Sequence, residues 1–379
     1  MITRLPLTVS FIIFGCSDNN VTDTKDNNVI VDKDSDGFGE DIDCDGLVDD
    51  LDNSIDDTTK TTFYFDYDAD SFGDNTHTIS SCTAPIGYVS IGGDCSDINS
   101  QIHPSATEIC DGIDNNCDGT LDDLQTVSSV NGTIYTDQSS IFTGGTSTNP
   151  KLVDLLEDEY IFCGGTYYIQ MEVTNDVTLS SISTPMSDTI FEAGNSNTIL
   201  YSNNDNITIE ISNITMQNSF NAIVMEGSDT TLLLDMVTIQ NNTTLSPFNA
   251  YVGAVYVELG DVTISNSEFV NNSGNEGGAL YTTGSLNISD SIFDANQATI
   301  FDSNEGVGGA ISYYAISNAS LVNIQNTVFT NNIAERIGSA LNMYALDQNE
   351  NSYSALLTLD SVQVHNNTSD YSTIADLAQ

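Results

Sequence analysis

From residue 207 onward, apolar and polar side chains alternate in short runs, and one run returns six times. Its copies are Ile209, Ile211, Ile214, Met216, then Leu232, Leu234, Val237, Ile239, then Val262, Ile264, Ser267, Phe269. Leu286, Ile288, Ser291, Phe293 follow, then Val322, Ile324, Thr327, Phe329, and last Leu357, Leu359, Val362, Val364. A period of two predicts strands that turn one face inward. Asn closes each run, at Asn218, Asn241, Asn271, Asn296, Asn331 and Asn366. Between the runs lies a second short apolar segment, clearest at Gly277-Gly278-Ala279-Leu280 and Gly308-Gly309-Ala310-Ile311.

The last apolar positions, 216, 239, 269, 293, 329 and 364, are unevenly spaced, although the skeleton within each run is constant. Connection length is therefore free while strand register is not. Short parallel strands that pair with their equivalents one repeat later meet that condition. A sandwich of hairpins would instead need turn signals between adjacent strands. The expected class is all-β, a right-handed parallel β-helix over residues 130–379. The closing Asn residues, with Asn213, Asn266, Asp290 and Asn326 at the preceding corner, are expected to stack as amide ladders. The last rung, with no polar cap after it, is expected to invite strand addition or a covering partner.

The first half reads differently. Residues 17–124 hold 27 of the 55 acidic side chains and few apolar ones. Burial alone cannot offset the ordering entropy of such a segment, so staples are expected. Asp32, Asp34 and Asp36 precede Gly37 in an EF-hand-like spacing, and Asp41, Asp43, Asp45, Asp49 and Asp52 form an overlapping copy. Asp66, Asp68 and Asp70 make a third cluster, with Ser71 where the turn glycine would sit and His77 at the last place. Asp114, Asn116, Asp118 and Asp122 make a fourth, around Gly119. Carboxylates two apart in a tight turn converge, and a pair about 4 Å apart repels by roughly 4 kcal/mol at an effective dielectric near 20. A hard divalent cation relieves this, and oxygen ligands point to structural Ca²⁺. A merely solvated acidic linker would not need the spacing. Both overlapping loops cannot be filled, since they share Asp43.

The second staple is covalent. Cys44, Cys82, Cys95, Cys110, Cys117 and Cys163 allow fifteen pairings. The short loops favour Cys82–Cys95 and Cys110–Cys117, which leaves Cys44 and Cys163 to tie the acidic arm to the next domain. Zinc would need paired, closely spaced cysteines, which are missing.

Residues 63–123 contain FYFDYDADSFGD, CTAPIGYVSIGGDCSD and IHPSATEICDGIDNNCDGTLDD. This stretch resembles the MopE-type metal-binding repeat of bacterial secreted and surface proteins, and EDIDCDGLVDD at 40–50 resembles the tail of a second copy. The family name implies copper. Only His77 and His103 fall in the module, however, without Trp or a Met cluster, so copper is not supported and Ca²⁺ is retained. The F-x-x-N motifs (Phe269 to Asn272, Phe293 to Asn296, Phe329 to Asn332) and the G-G-A-[LI] motifs are similar to the repeats of polymorphic outer-membrane proteins. The whole repeat region resembles the pectate-lyase-like β-helix group, and Tyr160–Tyr168 with Val177-Thr178-Leu179 resembles its first coil. The start, MITRLPLTVSFIIFGC, has an apolar run too short to span a membrane. It resembles a lipoprotein signal ending at Cys16, which implies an exported protein lipidated at the outer membrane or cell surface, or otherwise secreted. The expected organisation is a signal at 1–16, an Asp-rich linker at 17–60, a metal-binding module at 61–124 and the β-helix at 130–379.

Charge then narrows function. Six basic side chains against 55 acidic ones give a net charge of −49, which excludes nucleic acid as a partner and argues against docking on anionic lipid. Contact with a membrane is left to the lipid anchor. A polysaccharide lyase needs a base and cations to hold a uronate, but past residue 60 the only Lys and Arg are Lys151 and Arg336. A glycoside hydrolase needs two carboxylates at a set separation. Asp235, Asp290, Asp294 and Asp360 are available for this, without an evident pair. Tyr256, Tyr281, Tyr313 and Tyr314 follow the glycine bends, either as an exposed aromatic strip or as packed rings, and packing is the favoured reading. The expected function is therefore non-catalytic: a Ca²⁺-binding acidic spacer followed by a β-helix that presents a face to an extracellular glycan or protein. An extracellular polysaccharide-degrading hydrolase is the rival.

Overall fold

The structure is a computed structural model. It describes residues 60–120, 126–131, 134–182, 188–244, 253–300, 306–316, 320–344 and 355–370. The signal with Cys16, the Asp32–Asp52 clusters, Cys44 and Asp122 lie outside these residues. The chain divides into two compact units: 60–106 with 116–118, and 107–115 with the described residues from 119 onward.

The smaller unit is built on four short strands: β1 (Thr61–Phe65), β2 (Gly73–Ser81), β3 (Tyr88–Val89) and β4 (Gly92–Asp94). β1 runs antiparallel to β2 and β3, and β2 pairs in parallel with β4 through Gly73↔Gly92 and Asp74↔Asp94. Its apolar content is small, with Phe63 and Ile102 buried. Phe65 packs edge-on against Tyr88, and Phe72 stacks on His103 with ring centroids 4.8 Å apart.

The larger unit is all-β and repeat-like, a long and mostly parallel sheet in which each strand pairs with its counterpart one repeat later. One column runs Ile209↔Leu232↔Val262↔Leu286↔Val322↔Leu357. A second runs Met216↔Ile239↔Phe269↔Phe293↔Phe329↔Val364. These are the six copies of the sequence pattern, in the register the pattern requires. All are buried except Leu357 and Val364 of the last rung, which are partly so. Because like sits on like, Phe269, Phe293 and Phe329 stack with centroids 4.6 and 5.0 Å apart. The glycine pair behaves as expected: Gly277 has φ +63°, and a Cβ on Gly278 would lie 2.4 Å from the carbonyl oxygen of Gly309.

The amide ladder runs through Asn296 as expected, where Ala295 takes the corner, and is displaced by one residue from the expected position in the other repeats. Asn218, Asn241, Asn271, Asn331 and Asn366 all take positive φ, between 53° and 56°. They form the left-handed corner, a conformation Asn tolerates, and the next residue turns inward. The ladder is therefore Asn242, Asn272, Asn296 and Asn332, all buried, followed by the half-buried Asn367. Asn242 Nδ2 donates to Asn272 Oδ1 (3.1 Å), Asn272 to Asn296 (3.0 Å), Asn296 to Asn332 (3.0 Å) and Asn332 to Asn367 (2.8 Å). Each Oδ1 also accepts the backbone N–H of the equivalent residue one repeat earlier, as Asn242 Oδ1 does from Ser219 and Asn296 Oδ1 from Asn272 (both 3.1 Å). Asn213, Asn266, Asp290 and Asn326 likewise have positive φ. Their side chains bond on the outside, as Asn266 does to Asp235 (2.8 Å) and Asn326 to Asp290 (3.2 Å).

At the start of this unit, Val127–Asn131 and Ile134–Asp137 form an antiparallel hairpin that pairs with Glu159–Phe162. The short helix Ser139–Phe142 buries Phe142 against Tyr160 and Phe162, and Phe162 packs on Tyr167 and Phe191. Lys151 is used here, where Nζ donates to the carbonyls of Ser140 (2.5 Å) and Thr143 (3.0 Å).

The expected disulfides are corrected. Cys95 pairs with Cys117 and Cys110 with Cys163, each with Cα atoms under 6 Å apart, at 5.6 and 5.8 Å. Cys82 is disulfide-bonded, but not to Cys95. Short loop length misled because the pairings follow the folded units. Cys110 and Cys163 share a small buried cluster with Ile161.

Two outcomes are expected. Peptide mapping without reductant should recover the 95–117 and 110–163 pairs and no 82–95 or 110–117 species. Asn296→Ala, which strands several buried ladder groups worth about 1–3 kcal/mol each, should lower the thermal midpoint by far more than Asn271→Gly, read by circular dichroism.

Candidate metal centre

The turn between β1 and β2 carries Asp66, Asp68 and Asp70, and the end of β4 carries Asp94 with Asp97 three residues on. Parallel pairing of β2 with β4 brings these two stretches side by side. Close approach is possible because Gly92 has no side chain; a Cβ there would lie 2.5 Å from Asn75 Oδ1 and the Tyr64 ring.

Each aspartate uses one oxygen, or both, to fix the loop. Asp66 accepts the N–H groups of Ala69 (2.7 Å) and Ser71 (3.2 Å), Asp68 that of Asp70 (3.3 Å), and Asp70 that of Phe72 (2.8 Å). Asp94 accepts from Ser96 (2.7 Å), and Asp97 accepts from Tyr67 (2.9 Å), linking the two stretches. Ser71 has φ +84°, the conformation the missing turn glycine would supply. The second oxygens of Asp68, Asp70 and Asp94 are buried without a hydrogen-bond partner. In this group, and in Asp66, Asp68 and Asp97, one ligand atom from each residue lies within 4.8 Å of the others. At that separation each pair of charges repels by roughly 3–4 kcal/mol at an effective dielectric near 20. Burial, and then the neighbouring Asp70, push the Asp68 carboxyl above its ordinary range. Burial is also the main cause of the upward shift of Asp94, which is 6% exposed. Buried, unpartnered anionic oxygens converging on one point fit a hard cation, which would be held by Asp68, Asp70 and Asp94, with Asp66 and Asp97 adjoining through Asp68.

His77, expected at the last place of this loop, is elsewhere. Its Nδ1 lies 2.5 Å from Asp74 Oδ2, and the Thr76 hydroxyl and N–H with His77 hold Asp74 down at about 2. Asp94 and Asp97 were not among the expected ligands. Their signal is the run Gly92-Gly93-Asp94-Cys95-Ser96-Asp97, whose Cys95 is pinned to Cys117. In the fourth cluster, Asp114 accepts the Gly119 N–H (2.9 Å) and Asn116 accepts that of Asp118 (3.0 Å). The first of these repeats the bond from Ser71 to Asp66, with Gly119 at φ +93°. These residues do not join either convergent group.

On the repeat unit, the carboxylates weighed for hydrolysis are engaged separately. Asp235 accepts from the Ser265 hydroxyl (2.6 Å) and Asn266, Asp290 from Asn326, Asp294 from Asn331 (2.8 Å), and Asp360 from Ser361 (3.1 Å). The tyrosines are mostly packed. Tyr313 is fully buried, and Tyr256, Tyr281, Tyr314 and Tyr344 form a file with centroids 5.1, 5.4 and 5.4 Å apart. Burial, followed by Glu276 and Glu258, pushes the Tyr281 hydroxyl up to about 12.

Residues 94–123 match the Cu-binding MopE family model, described as a metal-binding motif. The match begins at Asp94 and ends at Asp123, so it contains Asp94 and Asp97 while the Asp66–Asp70 turn lies upstream of it. No curated protein and no solved structure matches the chain.

The raised carboxyl groups have a pH consequence. Asp68 and Asp94 bind protons more tightly in the ion-free fold than in the unfolded chain, so this fold loses their contribution as pH rises through their shifted values, and protons compete with a cation as pH falls. Asp74 has the opposite sign: its contribution is present above its unfolded value and is lost as pH falls toward about 2. Metal affinity should accordingly be weaker at about pH 5 than at about pH 7, read by calorimetric titration.

Proposed function

We propose that this chain is an exported, surface-tethered, non-catalytic protein in which a Ca²⁺-braced acidic module precedes a right-handed parallel β-helix. The β-helix presents an extended face to an extracellular glycan or protein. The observation that carries the metal part is the convergence of the unpartnered Asp68, Asp70 and Asp94 oxygens. Their chemistry favours Ca²⁺ over copper, because every ligand atom is a hard oxygen and His77 is bound to Asp74. Disulfides within the described residues fit an oxidising compartment.

The binding-only reading is supported by the placement of the few candidate catalytic groups. Lys151 is spent on helix carbonyls, and Asp235, Asp290 and Asp294 are each held by the asparagine of the next repeat rather than paired with one another. Turnover of any polysaccharide by the purified chain would replace this reading with hydrolysis.

The metal assignment has a direct test. Calcium titration of the intact protein should release or absorb heat and raise the thermal midpoint. Asp94→Asn should weaken binding by at least about tenfold, which is about 1.4 kcal/mol, whereas Asp74→Asn should leave it unchanged. Copper(II) binding that survives Asp94→Asn while calcium gives no response would refute the assignment.

A further inference from the structure

The outer side of the repeat unit carries a recess of about 360 Å³ where corners of successive repeats stack, bordered by Asp229, Thr230, Leu259, Asp261, Thr283 and Ile316. That volume is at the lower end of small-molecule sites. Its floor is bare backbone. Thr230 pairs with Gly260 and Thr231 with Asp261, and a Cβ on Gly260 would lie 2.2 Å from Thr230 Oγ1.

Three features define what fits. First, the polar groups are hydrogen-bonding oxygens and none of the bordering residues is basic. Asp261 Oδ1 accepts the Ser285 N–H at 2.8 Å, which takes one of the carboxylate's roughly four lone-pair positions. Second, Thr230 is 2% exposed and its hydroxyl has no hydrogen-bond partner, an unspent polar group at the recess. Third, Leu259 and Ile316, 40% and 46% exposed, supply apolar surface beside these oxygens.

An anion would meet two carboxylates on a chain of net charge −49. A bare cation would use the oxygens but leave Leu259 and Ile316 idle. A purely apolar ligand would leave the Thr230 hydroxyl and the remaining acceptor positions of the carboxylates unused. A neutral saccharide satisfies all three, since its hydroxyls donate to carboxylates and its C–H faces rest on aliphatic side chains. We infer that this recess is a binding site for one unit of a neutral, hydroxyl-rich glycan. This names the ligand class of the binding face proposed above and rests on that reading. The tyrosine file is a poorer platform, because its rings already pack on one another.

The test uses the full chain with calcium present. Neutral cello-, xylo- and manno-oligosaccharides are titrated alongside polygalacturonate and a set of extracellular proteins. The expected result is binding of at least one neutral oligosaccharide, with affinity lowered about tenfold or more by Asp261→Asn, which keeps the acceptor for Ser285, and by Thr230→Val, which removes only the hydroxyl. Leu259→Ser, at an exposed position that leaves the core intact, should also weaken it, while Asp235→Asn should not. Undiminished binding in all three recess variants would overturn the recess and leave the binding-face reading standing. Tighter binding of polygalacturonate, or binding only of proteins, would overturn the ligand class alone. Absence of any ligand would remove both.

Discussion

The repeat unit depends on one constraint: past its opening antiparallel hairpin, the strands hydrogen-bond in parallel to the equivalent strands of the next repeat. Once that register is set, identical positions lie on top of one another and each column must be self-compatible. Aliphatic columns meet the requirement by close packing, and the phenylalanine column by face-to-face stacking. The asparagine column meets it through an amide that can donate and accept along the same line. A lone buried amide would be a liability in an apolar interior, but a continuous file leaves each member partnered above and below. Variable connections cost little, since they leave the strands at the corners without disturbing the columns.

The acidic unit obeys the opposite economy. It has little apolar surface to bury, so its order comes from hydrogen bonds between aspartate oxygens and backbone N–H groups, from the Cys95–Cys117 bond and from the Phe72–His103 stack. In Asp68, Asp70 and Asp94 those bonds consume one oxygen and leave the other buried without a partner. The arrangement that shapes the loop therefore also creates the charge crowding that a cation would relieve. In this unit, scaffold and candidate site are the same set of side chains.

Much of this was legible in the chain itself. The six-fold recurrence of the apolar skeleton determined strand identity, inward faces and register from Ile209 to Val364, because a period of two and a constant skeleton admit few other pairings. The spacing of Asp66, Asp68 and Asp70 marked the candidate metal loop even with Ser71 in place of glycine, although Asp66 and Asp70 fall in separate convergent groups that share Asp68.

Only the tertiary structure decided what depends on chain segments meeting. Pairing of β2 with β4 brought Asp94 and Asp97 to a loop more than twenty residues upstream, a contact that local spacing cannot encode. The cysteines paired by unit rather than by shortest loop, because the folded backbone, not loop length, sets which Cα atoms come within bonding reach. Wherever two asparagines adjoin, the left-handed corner shifted the amide file by one residue: a single positive φ rotates the following side chain inward, and the two look alike until the backbone chooses between them, whereas Asn296, preceded by Ala295, stands where the pattern put it.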